Sequence, residues 1–322
     1  METTVKQETF LGAEAIVLEN DCLRCVCLPK HGGKIASFYR KDKAFELLFQ
    51  NPRGVFQEAY PGAPFGDFEA CGFDDAFPNI DAETVKTARG KAEYFDHGEI
   101  WTACFAATVE DGSVCLTYSS PFLGYRYEKR LTLEVDTLRI GYRIVNGSGQ
   151  AFPCIWACHC LVNLLPGLRL LFPRGTERVI NVFDSLLLGD AGRIYRFPVD
   201  RAADGAEFDF SRALDKRRAS TMKIYCADAV QEGFCGYRYE AQGVEAVFRY
   251  DAKRLPYLGL WATAGGYRGD CNCAFEPTNG FYDSIHTAAE NGKGAVLQPQ
   301  EGLEFSLEIS LSSFDSLAAG MQ

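Results

Sequence analysis

The 322-residue chain contains only four histidines, His31, His97, His159 and His286. Histidine is the side chain whose ordinary pKa lies nearest neutrality, so few groups here are available for acid–base work. His97 stands in Asp96-His97-Gly98-Glu99-Ile100-Trp101, at the mouth of an expected strand where a side chain can face a cleft. His159 stands in Trp156-Ala157-Cys158-His159-Cys160-Leu161, an otherwise apolar strand that carries it inward. A lone histidine on such a strand is usually a hydrogen-bonded core residue, and becomes chemically useful only if the strand faces a cavity. His31, in Lys30-His31-Gly32-Gly33, reads as a turn residue and His286 as a helix-surface residue. Glu276 ends a strand just before Pro277, which stops pairing and turns the chain. A carboxylate held there is rigid yet can reach a substrate, as a general base must; the competing reading is a salt-bridged rim glutamate.

Thirteen cysteines, an odd number, cannot all pair within the chain. Cys25 and Cys27, Cys158 and Cys160, and Cys271 and Cys273 are spaced C-x-C, and Cys22 and Cys25 C-x-x-C. On an extended strand, residues two apart share a face but diverge along it, a poor geometry for chelating one zinc. The expectation is reduced cysteines packed in sheets as small hydrophobes, with no metal. Gly265-Gly266 with Gly269 lacks the strand-to-helix setting of a phosphate loop, which argues against nucleotide binding. Neither a Gly-x-Ser-x-Gly elbow nor a His-Glu-x-x-His pair occurs.

Composition narrows the field further. Thirty-three basic against 43 acidic side chains leave a net charge of −10, with 47% apolar and 24% charged residues. That is the balance of a folded protein, and its acidity argues against nucleic acid or an anionic membrane as partner. The longest stretch free of Asp, Glu, Lys and Arg, Ala151 to Leu168, contains Pro153, His159, Asn163, Pro166 and Gly167, which a lipid-exposed helix tolerates poorly. The start, Met1-Glu2-Thr3-Thr4-Val5-Lys6-Gln7-Glu8, carries no secretory pattern, so a reducing, cytoplasmic setting is expected.

The elements that must position these groups are strands. Leu131, Leu133 and Val135 alternate with Thr132 and Glu134, then Leu138, Ile140, Tyr142 and Ile144 alternate with Arg139, Gly141 and Arg143. This predicts two half-buried strands joined at Asp136-Thr137. Trp101–Val109 and Val114–Ser119 flank Asp111-Gly112, whose residues both accept positive φ, a strong hairpin signal. Phe305, Leu307, Ile309 and Leu311 form a further apolar face. Helical periodicity is confined to Ser284–Asn291, with Asp283 or Ser284 as N-cap. Pro198–Phe210 is the most loop-like stretch, and no repeat or linker divides the chain. An antiparallel all-β chain of this size must bury sheet faces against each other, so one large sandwich domain spanning 1–322 is expected.

Taken in order, Leu28-Pro29-Lys30-His31-Gly32-Gly33-Lys34-Ile35-Ala36-Ser37, His97-Gly98-Glu99-Ile100-Trp101, the His159 strand, Pro256-Tyr257-Leu258-Gly259-Leu260-Trp261 and Glu276-Pro277-Thr278-Asn279-Gly280 resemble the aldose 1-epimerase (galactose mutarotase-like) superfamily. The resemblance runs from about residue 15 to 310. It implies a β-supersandwich with a cleft on the concave face of its central sheet, and cofactor-free interconversion of the α and β anomers of an aldose. Carried over, it makes Glu276 the general base, His159 the general acid and His97 the residue that holds the sugar near its ring oxygen. A cationic His159 facing an ionised Glu276 would stabilise both charged forms. Asp74 and Asp75, in Gly72-Phe73-Asp74-Asp75-Ala76-Phe77-Pro78, fit a family motif near the cleft; Trp261 could stack on the pyranose, and Lys34 and Arg268 could line the pocket. The expected partner is a small-molecule sugar and the expected assembly a monomer or homodimer. Two family features are missing: an Asn-Arg pair ahead of the first histidine and an Asp-His-Pro-Phe segment before the glutamate strand. The resemblance therefore does not extend to which sugar is used. A sugar phosphate would call for an arginine cluster, for which Arg249, Arg254 and Arg268 are available. Two other readings compete: a non-catalytic sugar-binding or sugar-sensing module on the same scaffold, and a lyase or hydrolase pairing Asp74 or Asp75 with Glu276.

Overall fold

Alternation around Leu131 and Ile140 does produce paired strands: Tyr125–Glu134 runs antiparallel to Thr137–Asn146, from Tyr125 opposite Asn146 to Glu134 opposite Thr137. The connecting residues are Val135 and Asp136, one position earlier than the pattern suggests, with Val135 at φ 46°. The hairpin at Asp111-Gly112 forms between Ala106–Glu110 and Ser113–Ser119, both turn residues having positive φ, but its first strand starts at Ala106 rather than Trp101, because Ile100–Thr102 coils into a 3-10 turn. The computed structural model describes residues 2–68, 70–87 and 90–314, and strands dominate it.

Two large antiparallel sheets carry the fold. The smaller has eight strands in the spatial order Arg169–Leu171, Phe234–Tyr239, Val244–Tyr250, Gly302–Ser313, Thr137–Asn146, Tyr125–Glu134, Ser113–Ser119 and Ala106–Glu110. The larger has 13 strands, and its centre runs Lys34–Arg40, Phe73–Ala76, Ala157–Cys160, Cys271–Thr278, Tyr257–Ala264 and Ser220–Cys226. Leu131, Ile140, Phe248 and Leu307 of the smaller sheet share one core cluster with Ile35, Phe73, Cys158 and Phe275 of the larger. Burying apolar area on this scale, at about 25 cal/mol per Å², is what holds two sheets face to face.

Cysteine burial follows the strand pattern. Cys25, Cys27, Cys158, Cys160 and Cys273 are buried and unbridged, and burial pushes the Cys27 thiol up to about 12. The uncharged stretch around His159 supplies three core strands, Phe152–Cys154, Ala157–Cys160 and Val162–Asn163. Among the described residues no helix is long and apolar enough to cross a membrane. The Pro198–Phe210 stretch differs from its loop-like composition: Val199–Arg201 and Glu207–Asp209 pair as a small separate sheet. The α-helix is Ile285–Glu290, capped by Ser284, whose side chain accepts from the Thr287 N–H at 3.1 Å.

Candidate active site

Period two assigns each central residue to one of two faces. Cys158, opposite Asp75, turns toward the smaller sheet. His159, opposite Asp74, turns away from it. On that outer face register brings together Asp74 and Ala76, Ala157 and His159, Glu276 and Thr278, Gly259 and Trp261, and Lys223 and Tyr225. Small residues leave the middle of this face open. Gly259 is required there: a Cβ would stand 2.9 and 3.0 Å from the Tyr225 ring and 3.3 Å from Glu276 Oε2.

The outcome is a cavity of about 250 Å³ whose walls include His97, His159, Lys223, Trp261, Glu276 and Asp283. A larger groove, about 480 Å³, lies by Gln7, Glu14, Lys30 and Phe105, but its Lys30 and Glu14 are exposed and already paired at 2.8 Å. Convergent buried polar groups distinguish the smaller cavity, and such groups are what orient a ligand.

Glu276 is 1% exposed, and neither of its carboxylate oxygens accepts a hydrogen bond of good geometry from the protein. Its nearest cation is Lys223, with Nζ at 3.2 Å from Oε2. The same ammonium lies 2.6 Å from Asp283 Oδ2, and Asp283 Oδ1 accepts from the Tyr225 hydroxyl at 2.7 Å. Burial pushes Glu276 up to about 7 against the opposing pull of Lys223, with Asp283 adding to the rise. Burial alone would lower the Lys223 ammonium, but Asp283 and Glu276 outweigh it and hold it above the usual lysine range. Asp81 stands at the mouth with its side chain reaching solvent; enclosure by the walls, then Asp283, lift it to about 6.

His159 is 8% exposed, and its Nδ1 is buried without a partner. Burial first, then the fields of His97, Lys223 and Lys34, push its pKa well below the usual imidazole value. The expected cationic His159 facing Glu276 is thus corrected: burial disfavours its imidazolium form, and the cation beside Glu276 is Lys223. His97 is set by its backbone. It has φ 56°, and Gly98 follows at φ 76°, where a Cβ would stand 2.2 Å from the Phe77 carbonyl oxygen. Its ring stacks on Phe65 at 4.1 Å, lies edge-on to His159 at 4.9 Å, and bonds through Nδ1 to Asp96 Oδ1 at 2.7 Å.

Trp261 lines the cavity, with Tyr267 edge-on at 5.5 Å, Phe183 at 6.1 Å, and Nε1 donating to Asn272 Oδ1 at 3.2 Å. The remaining expected binding residues lie elsewhere. Asp75 sits between the two sheets, 3.0 Å from buried Lys129 and accepting from the Tyr142 hydroxyl at 2.9 Å. Asp74 is on the cavity's face but is closed off by an ion pair with Lys34, whose ammonium also donates to the Cys71 carbonyl at 2.9 Å. These pairings correct the expectation that Asp74, Asp75 and Lys34 line the pocket, and remove Asp74 and Asp75 as glycosidase-type partners of Glu276. Arg268 is exposed and donates to the Gly66 carbonyl, tying down the strap that carries Phe65 rather than lining the cavity. Arg249 lies over Phe234 on the smaller sheet, and among the described residues no arginine lines the cavity.

Lys223, Asp283 and Asp81 escaped the sequence reading. A signal existed for the first: Lys223 interrupts the apolar strand Met222-Lys223-Ile224-Tyr225-Cys226, where a buried ammonium requires carboxylate partners. Asp283, considered above as a helix cap, instead holds Lys223. Among the described residues no cluster of histidine, cysteine and carboxylate side chains is arranged to hold a metal ion.

The two-sheet architecture with a polar cavity on the outer face of the larger sheet is the galactose mutarotase-like fold. A galactose mutarotase-like protein from Lactobacillus casei superposes with a TM-score of 0.69 at 14% identity, over 92% of this chain and 100% of its own. A protein from Synechocystis superposes with a TM-score of 0.69 at 14% identity, over 94% and 96% of the two chains. A third, from Escherichia coli K12 and provisionally named an aldose 1-epimerase, gives a TM-score of 0.65 at 17% identity over 97% and 100%. At such identities the likeness establishes the fold. No protein-family model and no curated protein matches the sequence.

Proposed function

We propose that the chain is an aldose 1-epimerase-like isomerase, a single sugar-binding domain that interconverts the α and β anomers of an aldose without a cofactor. The observation that carries this reading is the placement of Glu276 and His159 on neighbouring strands, side chains into one cavity, with the Glu276 oxygens accepting no hydrogen bond of good geometry from the protein beside the Lys223 ion pair. The cavity volume suits a single sugar ring, and Trp261 offers it an apolar face.

Ring opening moves one proton off the anomeric O1 hydroxyl and one onto the ring oxygen O5, breaking the C1–O5 bond and leaving the free aldehyde. Glu276 takes the O1 proton and His159 delivers the other. Rotation about C1–C2 presents the opposite carbonyl face; His159 then takes back the proton from the O5 hydroxyl, and Glu276 returns one to O1. The pair must therefore carry one proton between them. Burial disfavours the His159 imidazolium and lifts Glu276 toward 7. A pyranose that donates O1–H to the carboxylate and accepts an imidazolium N–H at O5 favours the carboxylate–imidazolium form, because hydrogen bonds to a charged form stabilise it. His97, edge-on to His159, holds the ring near O5. Proton transfer by positioned side chains contributes about 10²–10⁴-fold.

Two-dimensional exchange NMR on a panel of aldoses tests this. The wild-type protein is expected to speed anomer exchange of at least one sugar, and Glu276→Gln to abolish the acceleration while the sugar still binds; unchanged exchange in that variant overturns the mechanism. The neutrality of buried His159 favours one second reading, a non-catalytic sugar-sensing module, for which binding would occur with no acceleration in the wild-type protein.

A further inference from the structure

Building on the sugar site just proposed, we infer that its substrate class is an aldose bearing a protonated amine, an amino sugar, with Asp81 as the partner of the ammonium group. Three carboxylates, Asp81, Asp283 and Glu276, surround one ammonium, Lys223. Lys223 is held by Asp283 at 2.6 Å and stands 3.2 Å from Glu276 Oε2 without a well-aligned hydrogen bond, and among the described residues no cation lies within ion-pair distance of Asp81. The backbone fixes this imbalance, because the Asp81 N–H donates to the Asp283 carbonyl at 3.1 Å and keeps the two acids side by side. A fourth carboxylate, Asp270, also lines the cavity, within the field of Arg268.

An acidic cluster alone would be an ordinary solvated rim. Here a second feature points into the same space: Glu276, 1% exposed, presents two buried oxygens with no hydrogen-bond donor from the protein of good geometry. Buried acceptors of this kind are normally satisfied, so the cavity is built for a ligand rich in donors. An ammonium group on such a sugar brings three donors and one positive charge to Asp81, while the ring hydroxyls donate to Glu276. A phosphate, sulfonate or carboxylate on the sugar would meet the same carboxylates, with no arginine of the described residues among the walls to offset them.

Glucosamine, 6-amino-6-deoxyglucose, glucose and glucose 6-phosphate, each titrated into the full chain at pH 6.5 and followed by ligand line-broadening NMR, separate the possibilities. At low salt at least one amino sugar is expected to bind about tenfold or more tighter than glucose, and glucose 6-phosphate more weakly than glucose. Raising ionic strength should narrow these gaps, since charges further apart than about 10 Å are screened at 0.1 M salt. Asp81→Asn should reduce the amine preference to about threefold or less while leaving glucose binding within about twofold. Equal binding of glucose and both amino sugars, tighter binding of the phosphate, a preference that survives Asp81→Asn, or binding of none of the four would each overturn the assignment. Anomer exchange in the same samples keeps the two ideas apart. An amine preference without accelerated exchange removes the isomerase and leaves the ligand class; accelerated exchange without the preference does the reverse.

Discussion

Lys223 and Glu276 lie two strands apart in the larger sheet, yet the ammonium reaches diagonally over Gly259 to stand 3.2 Å from the carboxylate. That contact explains how a glutamate so deeply buried can still be ionised when needed. Burial favours the neutral acid, Lys223 favours the carboxylate, and the balance falls near 7, where a general base works best.

Lys223→Met should remove the counter-ion while preserving side-chain length. Stranding buried carboxylates in this way costs about 3–5 kcal/mol. Urea denaturation at pH 7.5 should show a loss of that order, much of it recovered at pH 5, where the acids take up protons. The alkaline limb of the exchange-rate profile should move to higher pH, and an unmoved limb would count against the lysine's role.

The raised Glu276 pKa makes parallel predictions for activity and stability. Anomer exchange should fall as pH rises through about 7, because the one proton that Glu276 and His159 share is lost there. Stability contributed by the neutral carboxyl is fully present below its unfolded pKa near 4.5 and is lost as pH rises through about 7. Asp81, lifted to about 6, adds to the same downward slope. His159 acts the other way: its pKa is depressed on folding, so stability falls as pH drops below about 6.5. Thermal melts from pH 4.5 to 8 on wild type and Glu276→Gln would read this, the variant losing most of the decline between 4.5 and 7.

Gly259→Val should be poorly tolerated by the site. Even one Cβ meets Tyr225 ring carbons at 2.9 and 3.0 Å, so the ring and Glu276 must shift. Overpacking of this kind costs about 1–3 kcal/mol. The expected signature is a folded protein with exchange reduced far more than its stability; full activity would show that the floor of the cavity is not set by this residue.

Arg268→Ala should act on substrate capture. Its guanidinium bonds the Gly66 carbonyl next to Phe65, which stacks on His97. Losing about 1 kcal/mol of strap ordering corresponds to roughly fivefold in KM. Initial-rate measurements should show that rise with kcat nearly unchanged; a fall in kcat alone would place Arg268 in a different role.

The strands were legible because their cause is local. Alternation through Leu131–Ile144, the Asp111-Gly112 turn and the Ser284 cap each depend on neighbours within a few residues, and each appears within a position or two of where the pattern puts it. The small sheet at Val199–Arg201 was hidden because its strands are three residues long and their side chains mostly exposed or half-buried, so no apolar face marks them.

Side-chain chemistry divided along the same line. His97, His159, Glu276 and Trp261 could be selected from residue type and strand context, and they share one cavity. Asp74 and Asp75 are adjacent, yet pleating sends them to opposite faces, one to Lys34 and the other to Lys129. No local pattern says which face will be hollow. Lys223, Asp81 and Asp283 come from three distant segments, and their charges matter only through distances that register and loop closure create. The amino-acid order determined a sheet-forming chain and a short set of acid–base candidates, because propensity and alternation act between near neighbours. The packed structure alone decided which candidates share a cavity, that His159 is neutral, and that Lys223 rather than a histidine answers Glu276, because desolvation and Coulomb fields depend on three-dimensional proximity.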